Sequence, residues 1–115
     1  MGNCLITRDR VLWNIYENIW TGTSGGLGKA EDINIDKTGF IAFTGSMTSD
    51  AYSSLKATCY TNSNKNTQVW YCQQGKNNMS SDGYNSFVAN GPVIKGFVVR
   101  VEYNKITNPK AYLFY

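Results

Sequence analysis

Apolar and polar residues alternate with a period of two along most of this 115-residue chain, the signature of half-buried β-strands. In DINID, Ile33 and Ile35 share a face. GFIAFTGSM sets Phe40, Ala42 and Thr44 against Ile41 and Phe43. AYSSLKATCYT sets Leu55, Ala57 and Cys59 against Lys56, Thr58 and Tyr60. TQVWYCQ sets Val69 and Tyr71 against Gln68, Trp70 and Cys72, so only one ring of the Trp70–Tyr71 pair can face a core. GYNSFVA is a shorter candidate strand. VIKGFVVRVEY sets Phe97, Val99, Val101 and Tyr103 against Val98, Arg100 and Glu102. KAYLFY closes the chain with Leu113 and Tyr115 opposite Tyr112 and Phe114.

The breaks between these segments carry turn chemistry. Asp36-Lys37-Thr38-Gly39 fits a tight turn ending in Gly. Asn62 to Asn66 fits a hairpin loop, because Asn tolerates positive φ and bonds its own backbone. A longer loop, GKNNMSSDG, runs from Gly75 to Gly83. Asn90-Gly91-Pro92 and Asn108-Pro109 read as punctuation. Thr21 to Gly28 is Gly-rich and irregular. It lacks the Gly-Lys-Ser/Thr ending of a phosphate loop and the strand–helix setting such a loop needs. VLWNIYENIW fits both periods: Leu12, Ile15, Tyr16 and Ile19 have helical spacing, whereas Trp13, Ile15 and Ile19 alternate. Its three aromatics, two Asn and lack of Ala favour a strand.

No strand–helix–strand rhythm is present, which argues against a parallel sheet. The expected architecture is all-β: one domain over residues 1–115, an antiparallel jelly-roll-like sandwich of about 7–8 strands. Residues 1–30 form an N-terminal segment with the Gly-rich loop 21–28. Without His, the chain cannot use Ser-His-Asp or Cys-His catalysis, His-ligated zinc or a His pH switch. A formal charge of +3 from scattered residues gives no nucleic-acid footprint. No run reaches the roughly 18 apolar residues of a membrane helix. MGNCLITRDRVLW shows no secretory pattern, and Ile6 breaks the myristoylation pattern. Cys4, Cys59 and Cys72 make an odd set without Cys-x-x-Cys. Cys59 and Cys72 could face each other across a hairpin, but free thiols in a reducing compartment are the favoured state.

Residues 87–103, FVANGPVIKGFVVRVEY, and the terminal AYLFY resemble the C-terminal head domains of bacteriophage tail fibres and related virion receptor-binding proteins. The layout is also similar to C1q- and TNF-like jelly rolls, in which an early strand like GFIAFTGSM (within residues 39–48) is usual. Phe97 stands after Gly96 where Asp is common. The resemblance implies a jelly roll with its chain end pinned in the sheet, a trimeric virion protein and a bacterial surface glycan or protein as partner.

The chain holds 3 Trp, 8 Tyr and 5 Phe, more ring surface than a core of this size needs. Together with low charge and an apolar C-terminus, this predicts a homo-oligomer, with a trimer favoured. The candidate binding residues are rings beside polar loops and the loop amides: Trp20, Tyr60, Asn64, Trp70, Asn77 and Tyr84. Neither a metal nor a cofactor is expected. Glu31 and Asp32 would face opposite ways on a strand, and Asp36, Asp50 and Asp82 sit in turns without calcium-loop spacing. The carbohydrate-active hydrolase is therefore the minor alternative to a non-enzymatic virion module. The other alternative is a small cytoplasmic binding or inhibitor protein acting through a strand edge or aromatic patch.

Overall fold

In the computed structural model, which describes residues 15–48, 53–75 and 89–115, the alternating segments form eight strands. They are β1 (Tyr16–Thr21), β2 (Lys29–Asn34), β3 (Gly39–Met47), β4 (Ser54–Tyr60), β5 (Gln68–Gly75), β6 (Ala89–Val93), β7 (Val98–Asn104) and β8 (Ile106–Phe114). Residues 83–88 of GYNSFVA lie outside the described residues, as do Cys4, Asn77 and Tyr84.

Two four-stranded sheets result, ordered β1-β8-β3-β6 (the first sheet) and β2-β7-β4-β5 (the second), with every pairing antiparallel. Four of the pairings, β4 with β5, β3 with β6, β2 with β7 and β1 with β8, belong to one long hairpin that closes at β4–β5. Rolling that hairpin so that β8 also meets β3 and β7 also meets β4 separates it into two layers. This is the strand order of an eight-stranded jelly roll. The chain end is pinned, since β8 runs between β1 and β3.

Alternation decides what each sheet buries. Leu55, Ala57 and Cys59 pair with Tyr103, Val101 and Val99 and face the opposite layer, where Ile41, Phe43, Ala111 and Leu113 meet them. The core is mostly aliphatic: among the described aromatics only Phe43 and Tyr103 are buried. A large-to-small change at a fully enclosed position such as Ile41 or Leu113 costs about 2–5 kcal/mol.

Two segments expected as turns are strand instead. Asn90-Gly91-Pro92 lies inside β6, the edge strand of the first sheet, where a proline without an N–H is tolerated. Asn108-Pro109 lies inside β8. The register against β3 jumps from Ser46–Thr107 to Thr44–Lys110, and Asn108 takes φ of 52°, so a bulge accommodates the proline. A second bulge falls between Asn18 and Trp20 of β1. The Asn18 amide fills it by donating to the carbonyls of Trp20 (2.8 Å) and Ala111 (3.1 Å). In the β4–β5 hairpin loop, Lys65 rather than an Asn takes positive φ (58°), and the Asn62 carboxamide accepts the Asn64 N–H at 3.0 Å.

Candidate functional site: two outer faces and two tryptophan seams

A sandwich of two short sheets is open along both sides, and one tryptophan closes each side here. On the β1–β2 side, Trp20 packs edge-on against Tyr103 and Phe43, with ring centroids 5.4 and 5.9 Å apart. Its indole N–H donates to Glu31 Oε1 at 2.8 Å, and the Tyr103 hydroxyl donates to Glu31 Oε2 at 2.7 Å. The same hydroxyl accepts the Thr23 N–H at 2.9 Å. Desolvation, with a contribution from Glu31, pushes the Tyr103 hydroxyl above its ordinary range, so it remains a donor. One carboxylate thus ties the two layers together.

On the β5–β6 side, the Trp70 ring lies where a side chain on Gly91 would be. A Cβ there would come within 2.5 Å of the indole. The Trp70 indole N–H donates to the Pro92 carbonyl at 2.8 Å, and the Cys72 thiol approaches the Asn90 carbonyl at 3.9 Å. Cys59 and Cys72 are both free thiols. Desolvation pushes Cys59 up to about 11 and also raises Cys72.

The four described residues among the six sequence-selected ones do not converge. Trp20 and Trp70 occupy opposite seams, with their polar atoms spent on structural bonds. Tyr60 and Asn64 lie together at the β4–β5 hairpin end of the second sheet. Asn77 and Tyr84 lie outside the described residues.

Surface rings gather elsewhere, on the outer face of the first sheet. Tyr16, Phe114, Phe40 and Pro92 form one row across all four strands, and Asn18, Tyr112, Ala42 and Asn90 form the next. Tyr16 is 66% exposed and stacks on Phe114 at 5.6 Å, with Tyr112 at 5.9 Å. Lys110, in the third row with Thr21 and Thr44, is the one charged residue among these three rows.

The second sheet presents the opposite chemistry. Asp32, Arg100, Thr58 and Tyr71 form one outer row, and Ala30, Glu102, Lys56 and Gln73 form the next. Charges chain across it. Lys65 meets Asp32 at 2.8 Å, and Arg100 reaches Asp32 at 3.4 Å and Glu102 at 3.2 Å. Lys56 lies 3.8 Å from Glu102. The Lys65 hydrogen bond, then the charges of Lys65 and Arg100, hold Asp32 below the usual carboxylate range. A general acid needs the reverse, so this carboxylate is unsuited to donate a proton in glycoside hydrolysis. Glu31 and Asp32 do face opposite ways, one into the seam and one outward. Among the described residues, no three or more Cys, Asp or Glu side chains gather into a metal-binding group.

Near the β1–β2 loop this polar face sinks into a cavity of about 330 Å³, lined in part by Lys29, Lys56, Gln73, Glu102 and Asn104. Those residues come from β2, β4, β5 and β7, too far apart in sequence to be read as a group. For Lys56, Gln73, Glu102 and Asn104 the one sequence signal is the polar half of each alternating strand, whereas Lys29 pairs with Tyr103 on the other side of β2.

Fold and faces together define a jelly roll with one aromatic and one polar outer face. No family model matches the chain, and no curated protein or solved structure matches it.

Proposed function

We propose that this protein is a non-enzymatic recognition module of a virion. In this reading it assembles as a trimer and contacts a glycan or protein of a bacterial surface. The observation that carries the reading is the division of labour between the two outer faces of the jelly roll. Interface cores are rich in aromatic residues and poor in charge. The outer face of the first sheet has that composition, and copies meeting there bring few like charges together. The polar face of the second sheet stays in solvent and is available to a ligand. The resemblance of residues 39–48 and 87–115 to tail-fibre heads points the same way.

The alternative of partner capture by strand addition has less support at the β1 edge. The bulge at Ile19 interrupts the row of free backbone groups on edge strand β1.

Sedimentation at micromolar concentration tests the assembly. The expected mass is three times 12.9 kDa, and Tyr16→Glu with Phe114→Glu reduces it to a folded monomer. A wild-type monomer overturns the assembly, and co-purification with one soluble partner in its place favours the inhibitor alternative. Adsorption of the oligomer to bacterial cells tests recognition, and failure to adsorb to any strain overturns that part.

A further inference from the structure

We propose that the depression on the outer face of the second sheet binds an uncharged sugar ring, with Lys56, Glu102 and Gln73 holding its hydroxyls. The inference rests on the recognition reading above and gives it a site and a ligand chemistry. Small residues open the space. Asn104, Ser54 and Gly75 form the row that ends this face, beside the row of Ala30, Glu102, Lys56 and Gln73. A Cβ on Gly75 would come within 2.6 Å of Ser54 Cβ, and Ser54 lines the depression. At about 330 Å³ it is at the small end of ligand sites, room for one sugar ring with its substituents.

Charge excludes an ionic ligand. Lys29 and Tyr103 border the depression but form a register pair on the core side of β2 and β7, so the outer face supplies one ammonium, Lys56, and one carboxylate, Glu102. These two charges cancel, and their spacing suits a hydroxyl. Lys56 Nζ stands 3.8 Å from Glu102 Oε1, beyond hydrogen-bond length, while Arg100 Nε donates to Glu102 Oε2 at 3.2 Å and fixes the carboxylate. A hydroxyl between them accepts from the ammonium and donates to the carboxylate at once. A ligand carboxylate there would satisfy Lys56 but meet Glu102 with like charge, and a ligand ammonium would do the reverse. A neutral polyol uses both partners.

The neighbouring groups complete the match. Gln73 is exposed and has no side-chain partner among the described residues, so its carboxamide is free to donate to one hydroxyl and accept from the next. The Asn104 carboxamide oxygen accepts the Gly28 N–H at 2.9 Å, which holds that amide in place beside the depression. Next to Gln73 on the outer face of β5, Tyr71 is 58% exposed, and its ring centroid lies 5.9 Å from Lys56 Nζ. It offers a flat surface to the C–H side of a second ring joined to the first.

The test is an NMR titration of the full chain with the methyl glycosides of glucose, galactose and mannose, and with glucuronic acid and glucosamine. At least one neutral sugar is expected to shift the Lys56, Gln73 and Asn104 signals, and neither charged sugar is expected to bind more tightly than it. Lys56→Met and Gln73→Ala should each weaken that binding about fivefold, the size of one hydrogen bond. Ser54→Leu fills the depression without touching these polar groups and should abolish it. Tyr71→Ala should spare the single sugars and weaken the disaccharides lactose or cellobiose. A charged sugar that binds about fivefold tighter than every neutral one overturns the neutral assignment. No shift with any neutral sugar up to about 50 mM, or shifts confined to other residues, overturns the site. Full adsorption of folded Lys56→Met/Gln73→Ala protein to cells overturns this site while the recognition reading stands; wild type that fails to adsorb but binds a neutral sugar here does the reverse.

Discussion

Removing the Glu31 carboxylate tests whether the Trp20 seam is structural. Glu31 accepts two hydrogen bonds, from the Trp20 indole at 2.8 Å and from the Tyr103 hydroxyl at 2.7 Å, and joins β2 to β1 and β7 in doing so. Hydrogen bonds to a charged group contribute about 1.5–3 kcal/mol when buried, and partial solvent access at this half-buried residue lowers that. Glu31→Ala leaves an indole N–H and a buried hydroxyl short of an acceptor, for an expected loss of about 2–3 kcal/mol. In a domain of this size that lowers Tm by about 10 °C. Glu31→Gln retains one acceptor oxygen and should cost about half as much. Tyr103→Phe removes one of the same bonds and also strips the Thr23 N–H of its acceptor. The double variant Glu31→Gln/Tyr103→Phe should therefore lose less than the sum of the single ones. Urea unfolding followed by tryptophan fluorescence gives the free energies, and the indole N–H resonance of Trp20 reports the bond directly. A Glu31→Ala protein as stable as wild type, with an unmoved indole resonance, would refute the seam. If that protein instead kept its stability and lost the proposed glycan binding, Trp20 would be a ligand ring after all.

Two other outcomes follow from the opposite seam. Gly91→Ala should cost about 2–4 kcal/mol, from overpacking of the Trp70 ring and loss of its bond to Pro92, and a Trp70→Leu background should absorb most of that cost. Calorimetric Tm values of the two singles and the double decide it, and an additive double variant would show that the ring and Gly91 do not touch. Cys59, buried and pushed up to about 11, should carry a thiolate fraction about a hundredfold below that of an ordinary thiol and react with iodoacetamide only when the protein unfolds. Peptide mapping after labelling at pH 8 measures this, and modification of Cys59 much faster than global unfolding would contradict it.

Strand identity was legible because the second-sheet strands alternate cleanly. Leu55, Ala57 and Cys59 against Lys56, Thr58 and Tyr60 permit only one inward face. Alternation is silent where both faces are apolar. In GFIAF and KAYLFY either set of residues could have been the core, so the aromatic outer row of Tyr16, Phe40 and Phe114 was invisible even though each strand was found. Turn chemistry misled at Asn90-Gly91 because its warrant is local, whereas the missing N–H of Pro92 does fit the strand edge where it lies. The edge position of β6 and the approach of the Trp70 ring to Gly91 are tertiary facts, and they outweigh the turn preference.

The candidate site diverged from expectation for a related reason. A sequence shows that a tryptophan is too many for the core, but not that a sandwich has two open sides. With a core built largely of Ile, Val, Leu and Ala, closing a side takes the largest side chain available, and its N–H must find an acceptor at the boundary between layers. Glu31 supplies that acceptor on one side and the Pro92 carbonyl on the other. Each seam uses up an indole that would otherwise be free to bind a sugar. On the proposed reading, recognition falls to residues that no seam claims, such as Lys56, Gln73 and Tyr71, on the polar side of strands whose other side is committed to the core.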